Sequence, residues 1–232
     1  MDPLLVSKPR QSSGAAGTRE ALILAAERLI AEHGIDGVSL RQINTEAGQR
    51  NSSAAHYHFG SKDALIRSIY EYRLDSVNRR RQNLLDALQA DGHDTDVRCL
   101  VDIFIRPIVE EIRGTAGGSF YIRFLSQAIG HPLADVRKYS ENMLTGAAMS
   151  AYESLKSALP DIPESILGQR FGLMWEMIIH ALADRERYTN SESASFEQQS
   201  ELFISNLIDV VAGGLSTPVA PSTRDTLAKQ AQ

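Results

Sequence analysis

The chain has 232 residues, of which 43% are hydrophobic and 23% charged, a balance typical of folded globular proteins and unlike that of disordered chains. Its single cysteine, Cys99, excludes an intramolecular disulfide and fits a reducing compartment. The net charge of −5 is unevenly divided, because residues 1–81 carry 12 Lys and Arg against 9 Asp and Glu, whereas residues 82–232 carry 12 against 20. Any nucleic-acid contact is therefore expected in the first third of the chain.

The sequence contains no apolar run of membrane-spanning length. The best candidate, residues 172–183, is interrupted by Glu176 and His180. The N-terminus also lacks the apolar core of a signal peptide. We therefore expect a cytoplasmic protein without a membrane partner.

Residues 1–17 mix prolines, glycines and serines without periodicity and predict a flexible arm. A helical period follows, with Thr18 as the predicted N-cap and Gly34 as the terminator. Thr18 and Arg19 could also point toward a DNA phosphate, so plain capping and a DNA role both stay open. The predicted apolar face of this helix consists of Ala21, Leu22, Ala25, Leu29 and Ile30.

The stretch from residue 39 to residue 62 predicts two short helices joined by a tight turn. Ser39 and Gln42 have the spacing of a capping box, so a helix is expected to begin at Leu40. Gly48 can adopt the left-handed conformation that ends a helix. This arrangement is a helix-turn-helix, whose second helix can enter the major groove of DNA. Three residues could cap that second helix: Asn51, Ser52 and Ser53.

Polar side chains in this stretch suit a groove of DNA. Arg41 points away from the apolar face and could pair with Glu46 or reach a phosphate or guanine, and Arg50 on the turn could contact phosphate. Asn51 is either a cap or a base reader. The spacing of His56 and His58 disfavours a metal site. Hydroxyl and imidazole groups that could reach base edges are carried by Ser52, Ser53, His56 and Tyr57.

Lys62 follows a predicted cap at Ser61, and together with the helix N-terminus it could hold a phosphate. The helix that begins there is predicted to run to about residue 89. This is longer than a small DNA-binding head needs, so we expect the helix to bridge to a second domain. Within it, Arg79, Arg80 and Arg81 fan around the axis, which predicts a solvated or ion-paired surface rather than one basic strip.

The chain from residue 18 to residue 72 resembles the TetR family of helix-turn-helix transcriptional regulators. The resemblance rests on TREALILAAERLIAEHGIDGVSL, followed in order by SLRQI, AG and YHFGSK. The segment from Gly48 to Phe59 is one residue longer than in most members, with the extra residue within residues 49–51. Combined with the residue chemistry, the resemblance implies DNA contacts at Thr18, Arg19, Ser39, Arg41, Arg50, Asn51, Ser52, Ser53, His56, Tyr57, His58 and Lys62.

Every later apolar stretch follows the helical period, with helices predicted over residues 97–113, 120–129, 133–159, 163–188 and 196–211. The predicted fold is therefore all-α. A three-helix DNA-binding domain occupies residues 18–62, a larger ligand-binding and dimerisation domain occupies residues 63–212, and residues 213–232 form a disordered tail.

The last two long helices carry wide apolar faces, which predict a four-helix homodimer interface. The residues expected there are Phe171, Met174, Ile178, Leu182, Leu202, Phe203, Leu207 and Val211. A dimer also allows one short reading helix per chain to recognise a pseudopalindrome.

The resemblance also implies a pocket for a small hydrophobic effector that releases DNA. Apolar side chains with a few polar anchors could line it, although ordinary core packing is the alternative for each one. The candidates are Phe120, Tyr121, Arg123, Phe124, Met143, Trp175 and His180.

The sequence thus predicts a homodimeric, ligand-responsive repressor whose partner is a double-stranded DNA operator. A helical protein-binding adaptor is one alternative, and an enzyme with an incidental helix-turn-helix is another. The enzyme alternative is weak, because the sequence shows no paired carboxylates, nucleophile–base set or metal-spaced cluster. No cofactor is expected.

Overall fold

The computed structural model describes residues 14–92, 95–113, 120–132, 146–187 and 194–230, and the regular secondary structure in these ranges is helical, as predicted. The helices are α1 (Gly14–His33), α2 (Leu40–Glu46), α3 (Ala54–Phe59), α4 (Lys62–Ala90), α5 (Val97–Arg113), α6 (Tyr121–Ala128), α7 (Ala147–Ala158), α8 (Glu164–Arg187), α9 (Ala194–Ser216) and α10 (Pro221–Gln230).

The chain divides into two compact units, residues 1–72 and residues 73–232, which we call the head and the body. The division falls inside α4, after Tyr72, rather than at the expected boundary after Lys62. The first turns of α4 belong to the head because they bond to α1. Ser68 accepts a hydrogen bond from Arg19 at 3.1 Å, and the Tyr72 hydroxyl donates to Glu20 at 2.6 Å.

The core of the head is built from apolar side chains of α1, α2 and α4. Leu22, Ile43 and Leu65 are fully buried there, and burial of each such side chain stabilises the fold by about 2 kcal/mol. The connection from α1 to α2 needs a glycine at residue 37. A Cβ atom at Gly37 would lie only 2.3 Å from the carbonyl oxygen of His33.

The first helix begins earlier than the sequence predicts. Because α1 starts at Gly14, Thr18 lies inside the helix, and its hydroxyl donates to the Gly14 carbonyl at 3.0 Å instead of capping. The prediction of Thr18 as the N-cap is therefore wrong. Residues 14–17, which were expected in a flexible arm, belong to α1. Residues 1–13 lie outside the described ranges.

The body is organised around α5, which packs against α6, α7 and α9, while α8 packs against α6 and α9. The buried side chains of Tyr121 and Phe124 place α6 in this core, where their rings stack with centroids 6.4 Å apart. The predicted helix over residues 133–159 is described only from α7 onward, since residues 133–145 lie outside the described ranges.

The end of the chain differs from the expected disordered tail, because α9 continues through Gly213 and Gly214 and α10 follows it. Packing explains the continuation: a Cβ atom at Gly214 would lie 2.7 Å from Met174 Cε, and Leu215 is buried. Among the described residues, no single helix is both long and apolar enough to cross a membrane. Only the pair Ser200–Ser216 and Pro221–Gln230, bent by 60°, satisfies length and composition together.

The three consecutive arginines of α4 have different surroundings. Arg79 is exposed and pairs with Asp75, and Arg80 lies 3.6 Å from Glu111. Arg81 is buried, and its Nε donates to the Ile103 carbonyl at 3.3 Å. Burial lowers the pKa of Arg81 to about 10, so the group stays charged at neutral pH. The prediction of a solvated or ion-paired surface is therefore wrong for Arg81.

Candidate nucleic-acid interface

The helix α2 begins as its capping box predicts. The Gln42 backbone N–H donates to Ser39 Oγ at 3.3 Å, and the Gln42 side chain accepts from the Ser39 backbone N–H at 2.8 Å. The turn after α2 contains Gly48 at φ +65°, the left-handed conformation expected from sequence. Both local signals are confirmed, and they place Arg41 in the first turn of α2.

The second helix of the motif, α3, is preceded by Ser53, whose side chain makes no capping hydrogen bond. Asn51 instead closes the turn, since its Oδ1 accepts from the Ser53 backbone N–H at 2.9 Å. The Ala55 backbone N–H in the first turn of α3 donates to Asn44 Oδ1 at 2.8 Å. The cap of α3 therefore comes from α2 and from none of the three residues considered at the sequence level.

Asn44 is a buried polar residue of the helix-turn-helix that the sequence analysis did not single out. It is 2% exposed, and its side-chain Nδ2 donates to the Ser52 carbonyl at 2.5 Å. A signal for it does exist in the sequence. Leu40 and Ala47 lie four residues before and three residues after Asn44, so this amide shares the predicted buried face of α2.

Several of the predicted DNA-contacting residues are exposed, among them Arg41, Arg50, Ser52, Ser53, His56 and Tyr57. The guanidinium groups of Arg41 and Arg50 have no hydrogen-bond or ion-pair partner among the described residues, although the Arg41 carbonyl accepts from the Thr45 hydroxyl at 3.1 Å. Glu46, considered as a partner for Arg41, instead pairs with Arg28 at 2.9 Å. Tyr57 is 83% exposed, and His56 is exposed one position before it. Two cations and two ring side chains thus point to solvent from the helix-turn-helix.

The side chains of other predicted DNA-contacting residues already bond to, or contact, other residues of the head. The Arg19 guanidinium lies 5.3 Å from the centre of the Phe59 ring, in addition to its bond to Ser68. The Lys62 ammonium donates to the carbonyl of Ile35, and partial burial, only partly opposed by the charge of Asp36, lowers the pKa of Lys62. His58 is half-buried and in edge-to-face contact with the Tyr57 ring.

The predicted ligand residues are not brought together at one cavity. An apolar cavity of about 10 Å³, roughly the room of one water molecule, lies between α5, α8 and α9. Trp175 lines it together with Val101, Phe104, Phe171, Met174, Ile178, Val211 and Leu215.

The other ligand candidates lie elsewhere in the body. Arg123 is 3.8 Å from Glu186 and stacks over Phe120 at 4.7 Å, in a cluster on α6 and α8. Tyr121 and Phe124 are part of the core. His180 is exposed, with its Nδ1 2.9 Å from a carbonyl of its own helix, so it does not line the cavity. Met143 lies outside the described residues.

The predicted dimer residues also lie on more than one face. Ile178, Leu182, Leu207 and Val211 are buried within the body, and Phe171 and Met174 line the cavity. Phe203 is half-buried beneath the Arg185 guanidinium at 4.8 Å. The exposed apolar side chains of α8 and α9 include Leu202, which was predicted, and also Leu173 and Val210, which were not.

A short helix that follows a tight turn, exposes His56 and Tyr57 and neighbours two unpaired arginines defines a helix-turn-helix DNA-binding protein. Residues 22–69 match the family described as bacterial regulatory proteins, tetR family, and residues 102–214 match the tetracyclin repressor-like, C-terminal domain. The chain belongs to the TetR family of transcriptional regulators. No protein of curated function matched it.

Comparison with solved structures finds TetR-family proteins and a repressor at low identity. NalD, the secondary repressor of the MexAB-OprM multidrug efflux pump in Pseudomonas aeruginosa, is 18% identical, with a TM-score of 0.50 over 84% of this chain and 97% of that chain. A candidate TetR-family regulator from Mesorhizobium loti is 15% identical, with a TM-score of 0.48 over 88% and 97% of the two chains. A TetR-family regulator from Streptomyces coelicolor is 19% identical, with a TM-score of 0.37 over 90% and 100%.

Proposed function

We propose that this regulator is a cytoplasmic repressor that binds a pseudopalindromic DNA operator as a homodimer and is released by a small apolar or amphipathic effector. The observation that carries the proposal is the exposed group of Arg41, Arg50, His56 and Tyr57 on the helix-turn-helix. The match of residues 102–214 to a domain described as tetracyclin repressor-like supports repression.

Two kinds of DNA contact, to phosphates and to bases, are proposed for different residues of the helix-turn-helix. Arg41 and Arg50 supply phosphate contacts, which position the head without reading sequence. Ser52, His56 and Tyr57 project from α3 or its preceding turn and read base edges or pack against thymine methyl groups. Arg19 and Lys62, whose charged groups already bond within the head, have the smaller role of orienting α1 and α4 near the backbone of the duplex.

The exposed face of α8 and α9 is the proposed dimer interface. Leu173 and Leu202 are 64% and 72% exposed there. Gly172 and Gly213 lie inside these helices, where a glycine costs about 1 kcal/mol relative to alanine. A Cβ atom at either position would meet no other atom of the described residues within 4 Å. Packing among the described residues therefore does not require these glycines, whereas close approach of a second copy would account for them.

The effector is proposed to enter between α5, α8 and α9. The cavity there is lined by apolar side chains but has room for only one water molecule, whereas ligand pockets usually occupy about 300–1,000 Å³. Binding must therefore displace side chains, and the flexible Met174 is the side chain most easily moved. The proposed effector is apolar or amphipathic because the side chains that line the cavity are apolar.

A binding experiment tests the proposal. An operator is selected from a pool of random duplexes with the full chain, and affinity is measured by fluorescence anisotropy. Arg41→Ala is expected to weaken binding at least about tenfold. Arg79→Ala, which removes an exposed arginine of the body, is the matched control and should bind as wild type does. Equal losses in both variants, or failure to select any duplex, would overturn the proposal.

A further inference from the structure

We propose that Asn44 is a positioning residue that fixes the orientation of the recognition helix α3 for base reading. This inference rests on the proposed function of DNA recognition. Asn44 has a relative exposure of 2%, and both ends of its amide are bonded. Its Nδ2 donates to the Ser52 carbonyl, and its Oδ1 accepts from the Ala55 N–H. One side chain thus holds the last part of the turn and the first turn of α3.

We call the two hydrogen bonds from the Asn44 side chain to Ser52 and Ala55 the Asn44 clamp. The geometry of α3 explains why this helix needs support from outside. This helix has only 6 residues and no side-chain cap of its own at Ser53. A helix this short is not stable without tertiary contacts, and its first N–H groups need acceptors from outside the helix. Its buried residues are Ala54 and Ala55, which offer little apolar area for packing. The amide of Asn44 supplies both the acceptor and the fixed position.

The hydrogen bonds of the Asn44 side chain also hold the end of the turn between the two helices. Gly48 ends α2, and the chain then continues through residues 49–53 before α3 begins. At the start of the turn the Gln49 N–H donates to the Asn44 backbone carbonyl at 2.9 Å. At its end the Ser53 N–H donates to Asn51 Oδ1, a local bond that does not tie this end to the head core. Asn44 provides that tie, because it is buried in α2 beside Ile43.

The functional consequence follows from where the two kinds of DNA contact originate. Arg41 lies on α2 and does not depend on the Asn44 hydrogen bonds, so its phosphate contact persists without them, and Arg50 lies on the turn before the first residue that they hold, Ser52. Ser52, His56 and Tyr57 lie on the clamped segment. Loss of Asn44 therefore lowers discrimination between operator and unrelated DNA more than it lowers general DNA affinity.

The test compares Asn44→Leu with wild type and with Ile43→Val. Leucine has the same number of side-chain heavy atoms as asparagine and the same branch at Cγ, but it removes both hydrogen bonds. Ile43→Val weakens packing in the same helix and keeps those bonds, so it reports a purely structural effect. Two quantities are measured in the full chain: the ratio of affinities for the selected operator and a shuffled duplex, and the hydrogen-exchange rate of the Ala55 amide.

We expect Asn44→Leu to lower the affinity ratio by about tenfold, the size of one lost base contact, and to speed exchange at Ala55. Ile43→Val should lower the melting temperature and leave the ratio unchanged. A ratio in Asn44→Leu equal to that of wild type, or an equal fall in both variants, overturns the inference while leaving the proposed function intact. A wild type that does not discriminate between duplexes overturns both.

Discussion

Arg73 Nη1 lies 3.1 Å from Glu111 Oε1, and both side chains are nearly buried, with exposures of 5% and 10%. The two residues join α4 to α5 within the body. Substituting Glu111→Gln removes the negative charge but leaves the Arg73 guanidinium in its buried place. We expect this to lower the unfolding free energy by about 3 kcal/mol, measured by urea denaturation.

The control for this ion pair is Asp75→Asn. Asp75 pairs with Arg79, but the side chains are 73% and 68% exposed. Solvent screens such a pair, so its loss should cost less than about 1 kcal/mol. Equal costs for the two substitutions would show that burial does not govern the strength of the Arg73–Glu111 pair.

The salt dependence of DNA binding is a second prediction. Each phosphate contact releases counterions, so the slope of log affinity against log salt should become shallower by about 1 for each contact that Arg50→Ala removes. Affinities measured at several salt concentrations check this. An unchanged slope would mean that Arg50 does not touch the DNA backbone.

Tyr57 gives a third prediction, in which stability and binding separate. Because its side chain is 83% exposed, Tyr57→Ala should change the unfolding free energy by less than about 0.5 kcal/mol. The affinity of the Tyr57→Ala protein for the operator should nevertheless fall by about tenfold. Thermal melting and anisotropy on the same sample distinguish the two effects. Normal affinity would remove Tyr57 from the reading surface.

The fourth prediction concerns the dimer. Leu173→Asp places a charge on the exposed face of α8, and an unpaired charge in an interface is costly. We expect sedimentation velocity to show monomers, with helical content by circular dichroism unchanged. Met149→Asp is the matched control, since Met149 is a 41% exposed apolar residue on α7. A dimeric Leu173→Asp protein would place the interface elsewhere.

Local signals in the sequence predicted much of the head correctly. The capping box of Ser39 and Gln42 spans three residues, and the left-handed glycine at Gly48 acts at a single residue. Both signals depend only on residues that are close in sequence, so they can be recognised without knowledge of the fold. The hydrogen bond from Ala55 to Asn44 spans eleven residues, and it forms only once the turn has brought α3 back onto α2. No periodicity in the sequence encodes that return.

The proposed dimer face shows a different limit. The apolar residues of α8 surround much of the helix, so periodicity does not tell which side packs against the chain's own core. Ile178 proved to be buried within the body, while Leu173 faces solvent. The outward side was marked by Gly172, a residue that hydrophobic patterns ignore. Distinguishing the two sides required the positions of α5 and α9.

The Asn44 clamp has a practical consequence for engineering. Recognition helices are natural units to graft between regulators when a new operator is wanted. In this protein α3 is supported from α2, so a graft of residues 54–59 alone would separate the helix from the geometry of its turn. A transferable cassette would have to run from Asn44 to Phe59, with the length of the turn and the identity of residue 44 exchanged together.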